Sequence, residues 1–96
     1  MHDWTLLSIA IDWKTGAVAL HLASSAGQTE LRAEDMREIR IPRAQPWGPS
    51  VSINTVDGPN PHDEGLLRLA IEIQSGDLIE IVARSFKMPD GVRNAG

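Results

Sequence analysis

The chain has 96 residues, nine basic against 13 acidic side chains for a net charge of −4, and no cysteine. That length makes one domain, able to bury about 60–65% of its unfolded surface without a metal or a disulfide. The missing cysteine excludes disulfides, thiol nucleophiles and thiolate-ligated zinc, and the acidic balance speaks against a nucleic-acid partner. No apolar run approaches the length of a membrane helix, and the N-terminus lacks a basic region followed by a hydrophobic one. The expectation is a cytoplasmic protein that engages neither membrane nor nucleic acid.

Leu7, Ile9, Ile11 and Trp13 alternate with Ser8, Ala10 and Asp12, which predicts a half-buried strand with Trp13 on its core side. Lys14-Thr15-Gly16 makes a turn, and Val18, Leu20 and Leu22 carry the return strand, with His21 facing away from them. A small-residue turn over residues 24–27 leads to a short strand over 28–33, with Leu31 inward. Residues 33–36 read equally as one helical turn or a polar corner, before a short strand over 38–41 that Pro42 ends. Arg32, Arg37, Arg40 and Arg43 are interleaved with Glu30, Glu34, Asp35 and Glu38, the pattern of a solvated, salt-bridged face rather than of a phosphate-binding patch.

Pro46-Trp47-Gly48-Pro49-Ser50 is a rigid loop, because its prolines fix φ and its glycine permits an unusual turn. Val51, Ile53 and Thr55 then form a strand with Ser52 and Asn54 opposite, and residues 57–65, without periodicity, read as a mobile loop. The plainest pattern lies over residues 66–86. Leu67, Leu69, Ile71 and Ile73 share one face, Ile79, Ile81 and Ala83 share the returning one, and Gly76 supplies the positive φ of the turn between. Leu66, Ala70, Leu78 and Val82 make the second face partly apolar, which predicts a central position with both faces covered to some degree. Residues 88–96 read as a poorly ordered tail beyond a single β domain over residues 1–87. Six or seven short strands with little helix predict an all-β, antiparallel sandwich or flattened barrel.

Chemistry is sparse. His2, His21 and His62 lie in separate segments without His-x-His or His-x-x-x-His spacing, so no metal or cofactor is expected. His2-Asp3 and His62-Asp63 are adjacent pairs, whose side chains point apart on an extended chain, and Gly48-Pro49-Ser50 is not a nucleophile elbow. Asp57, Asn60, Asp63 and Glu64 offer oxygen ligands without EF-hand spacing. An enzyme is therefore not expected, and His62, Asp63 and Glu64 are the sole plausible acid–base cluster. Trp4 either covers a sheet edge or lies open, and Trp47 is either a plug on the core or an exposed anchor.

The opening His2-Asp3-x-x-Leu6-x-x-Ile9-x-x-Asp12-Trp13, the glycine turn and Val18-x-Leu20-x-Leu22 resemble a group of small uncharacterised bacterial domains that begin on a His-Asp-x-x-Leu strand. Pro46-Trp47-Gly48-Pro49-Ser50 and the Gln74-Ser75-Gly76-Asp77 turn are similar to positions in the same group, whose members often carry Phe where this chain has Met1. The resemblance implies a β-sandwich, and some of those relatives are immunity-like proteins that bind a toxin. It implies no active site.

The sequence thus predicts a protein-binding module whose partner is another protein or a second copy of the chain. Trp47 would be its anchor, with Trp4 beside it. The alternative is a small-molecule or carbohydrate binder in which Trp47 stacks on the ligand and Asn54 or His62 supplies polar contacts.

Overall fold

The computed structural model describes residues 4–25, 27–42 and 52–89. The alternating segments become six strands: β1 (Thr5–Asp12), β2 (Ala17–Ser24), β3 (Gly27–Arg40), β4 (Ile53–Pro61), β5 (Leu67–Ile73) and β6 (Leu78–Lys87). One 3-10 turn, Asp63–Gly65, joins β4 to β5. All neighbouring strands are antiparallel in a single sheet of order β1-β2-β3-β6-β5-β4. Among the described residues no helix is long and apolar enough to cross a membrane.

The sheet curls until its two edge strands touch. Thr5 of β1 bridges Ser52, and the Ile53 N–H donates to the Trp4 carbonyl at 2.8 Å. Ser52 also accepts from the Gln74 N–H at 2.8 Å, so this seam is tied to the end of β5 as well. The fold is thus a single sheet closed at one point, nearer the flattened barrel than a sandwich of two sheets. Its interior is filled from five strands by Val18, Leu20 and Leu22, by Leu31 and Ala33, by Ile53, by Leu69, Ile71 and Ile73, and by Ile79, Ile81 and Ala83, all buried.

The β5–β6 hairpin follows its pattern, except that Leu67 at the start of β5 is only half-buried. Leu69, Ile71, Ile73, Ile79, Ile81 and Ala83 point inward, and Gly76 in the turn has φ +99°. Ala70 and Val82 on the outer face are also buried, whereas Leu78 is exposed.

Three expectations are corrected. In β1 the register against β2 slips between Leu6 and Ser8, a bulge that resets the alternation. Leu6 comes opposite buried Leu22 and Ile9 opposite buried Leu20, so both pack on the core. Leu7 is the extra residue between them and is exposed, as is Ile11 near the strand end. Trp13, expected in the core, lies beyond the strand in the turn and is 86% exposed.

The strands expected over 28–33 and 38–41 are one strand of 14 residues. The polar corner between them is a kink at Asp35, whose φ is +55°, followed by a register shift between Met36 and Glu38. The third correction concerns residues 57–65. Asp57, Asn60 and Pro61 belong to β4 and pair with Ala70, Arg68 and Leu67. A register shift between Asp57 and Asn60 removes the alternation, and Pro59 and Pro61 are tolerated because β4 is an edge strand whose outer side needs no N–H. At the other end, Met88 packs on the core and Pro89 is buried, while the remainder of the expected tail lies outside the described residues.

Candidate functional site

The segment Asp12-Trp13-Lys14-Thr15-Gly16 closes the β1–β2 hairpin. An aspartate at the start of a turn can accept from the backbone N–H groups that follow. Asp12 does so, its Oδ1 taking the N–H of Lys14 at 3.1 Å and of Thr15 at 3.4 Å. Thr15 Oγ1 accepts the Ala17 N–H at 3.3 Å, and the Gly16 N–H returns to the Asp12 carbonyl at 2.8 Å. The turn is also held from outside the hairpin, because the Met36 N–H of β3 donates to the Gly16 carbonyl at 2.9 Å. Position 16 requires glycine twice over: its φ is +75°, and a Cβ there would stand 3.1 Å from the Met36 nitrogen.

This frame carries the Trp13 side chain into solvent. Of the five large apolar side chains exposed among the described residues, three belong to β1 and its turn: Leu7, Ile11 and Trp13. The outer face of β1 and β2 beside the turn mixes small and polar side chains. Ala10 lies opposite Ala19, Ser8 opposite His21 and Asp12 opposite Ala17.

The rest of the outer face is laced with ion pairs, as the interleaved charges predict. Arg32 pairs with Glu30 at 3.1 Å, and His21 Nδ1 lies 3.7 Å from the same carboxylate group. Asp35 Oδ2 accepts from Arg84 Nε at 3.0 Å and from Arg37 Nη2 at 3.1 Å; these two bonds, Arg84's first, hold its carboxyl below the ordinary range. Glu80 accepts from Arg68 and lies 4.0 Å from Arg40 Nη1, and the Arg68 bond lowers its carboxyl pKa against a smaller opposing effect of burial. An open groove of about 530 Å³ is lined by Arg40, Ile41, Pro42, Leu78 and Glu80.

The residues singled out from sequence do not converge. Trp4 is half-buried against the core beside the seam, the edge-covering alternative. Asn54 is exposed on β4 and donates from Nδ2 to Glu72 Oε1 at 3.0 Å, an oxygen that also takes the Thr55 hydroxyl at 3.4 Å. His62 is exposed past the opposite end of β4, its backbone N–H bonded to the Leu66 carbonyl at 2.8 Å. Asp63 and Glu64 beside it are exposed too. None of these residues lines the groove. Trp47, with His2, Asp3 and Arg43, lies outside the described residues.

Trp13 is the residue that alternation misplaced. Its signal was Asp12 four residues before Gly16, which starts the turn at Trp13 rather than at Lys14. In comparisons with known protein families, curated proteins and solved structures, nothing matches the chain.

Proposed function

We propose that the chain is a small protein-binding module, not an enzyme, with Trp13 as its anchor. One observation carries the reading: a tryptophan 86% exposed on a turn fixed by bonds from its own hairpin and from β3. Large aromatics on rigid frames dominate interface energetics, because they bury much area while losing little conformational freedom. Leu7 and Ile11 are further exposed apolar side chains of the same hairpin, and Ala10 lies opposite Ala19 across it. The partner is another protein, a second copy of this chain included. The resemblance of the opening strand to bacterial immunity-like domains favours a toxin as that partner, met in the cytoplasm.

The test compares wild type with Trp13→Ala in two ways: light scattering over a hundredfold concentration range, and capture from the native host's extract. A dimer, or one specific captured protein, should be lost in the variant while its unfolding midpoint is unchanged. A dimer or capture that survives Trp13→Ala defeats the reading, as does a wild type that remains monomeric and captures nothing.

A further inference from the structure

The bonds made by Asp12 and Thr15 fix the shape of the Trp13 turn, but they lie within the hairpin and do not fix its attitude to the rest of the sheet. Beyond the β2–β3 ladder, whose last pair at this end is Val18 with Ala33, the turn is tied to the sheet by the Met36 N–H, which reaches from β3 to the Gly16 carbonyl. The Met36 amide points there, out of a regular ladder, because the chain kinks at the preceding residue. Asp35 has φ +55°, a region that L-residues avoid and that aspartate and asparagine tolerate best. Its backbone also lines the turn: a Cβ at position 16 would meet Asp35 Cα at 3.3 Å, so kink and turn are in close contact. The Asp35 carboxylate is in turn held on one oxygen by Arg84 of β6 and by Arg37.

We infer that Asp35 is a positioning residue for the Trp13 turn: its ion cluster with Arg84 and Arg37 fixes the β3 kink that grips Gly16, and so sets how Trp13 is presented. The inference rests on the reading of Trp13 as an anchor only for its purpose, since the geometry concerns the free protein. The device joins four strands: β6 supplies Arg84, β3 supplies the kink, and the hairpin of β1 and β2 carries the aromatic.

The experiment uses the full chain with Trp4→Phe and Trp47→Phe, leaving Trp13 as the single indole. Two quantities are read, the exchange rate of the Met36 amide hydrogen and the amplitude of fast fluorescence depolarisation of Trp13. Arg84→Gln and Asp35→Asn each remove the charge contact while leaving position 35 with a residue that tolerates positive φ. Each should speed Met36 exchange by about two- to fivefold, the range for loss of an exposed ion pair. Depolarisation of Trp13 should increase in parallel, with the Leu69 and Ile71 amides of β5 unchanged. Asp35→Gly permits the kink at no steric cost but lacks the carboxylate, and it should loosen the turn in the same way. If Met36 exchange and Trp13 depolarisation stay at parental values in these variants, the kink stands without the ion cluster and the inference is overturned. Partner capture by wild type against Trp13→Ala is unaffected by that outcome, so the two proposals fail separately.

Discussion

Arg68 and Glu80 pair along a diagonal: Arg68 sits opposite Val82, and Glu80 sits opposite Ala70. The pair therefore runs between the two small apolar side chains of the outer face, and both of these are buried although they point away from the barrel interior. Long charged side chains cover apolar surface with their stems while their heads meet. This explains how the central strands acquire a second covered face without a second layer of structure.

The same pair predicts an acid response. Arg68 holds the Glu80 carboxyl below the ordinary glutamate range. A depressed pKa in the folded state gives stability that is present above the ordinary value and lost as pH falls through the folded one. Asp35 contributes in the same sense through Arg84 and Arg37. Urea unfolding from about pH 5 down to about pH 3 should show a falling midpoint in wild type. The Glu80→Gln variant should show a flatter dependence over that window.

The bulge in β1 separates two neighbouring leucines. Leu7→Ala should change stability by no more than about 0.5 kcal/mol, because the side chain is exposed. Leu6→Ala removes a side chain packed on the core and should cost about 1–3 kcal/mol. Chemical denaturation of both variants checks the inward and outward assignments. A costly Leu7→Ala would mean that alternation runs unbroken through the strand.

Gly16→Ala should destabilise by about 1–2 kcal/mol, from positive φ and from crowding against Met36. The loss should appear chiefly as faster unfolding of the β1–β2 end, visible as increased exchange of the Ala17 and Val18 amides.

The two described tryptophans should part company. Trp13→Ala is expected to leave stability within about 0.5 kcal/mol, and Trp4→Ala to cost about 1–3 kcal/mol, since Trp4 packs on the core. Thermal melts of the two variants provide the measurement.

What the sequence disclosed and what it hid follow from one physical distinction. Strands whose pairing is regular write their burial directly into alternation, and β2, β5 and β6 could be read side chain by side chain. Where a register slips, the period breaks. Alternation puts Leu7 inward because the bulge between Leu6 and Ser8 leaves no mark of its own, and it splits β3 in two because Asp35 interrupts the period. The prolines of β4 signalled a loop because proline forbids a central strand, yet an edge strand accepts it. The candidate site lay in the same blind spot. Counting Trp13 as the next alternating residue placed it in the core, although the Asp12 carboxylate already ended the strand there.

The seam at Thr5 and Ser52 has a wider consequence for how the chain is divided. Strands β1 to β3 form one meander in chain order, β4 to β6 form another, and the halves meet along β3–β6 and again at the seam. Each half supplies the cover for the other's outermost strands, so neither meander is a finished unit. The barrel is a clasp of two three-strand pieces, and a cut between them would leave fragments whose best partners are one another.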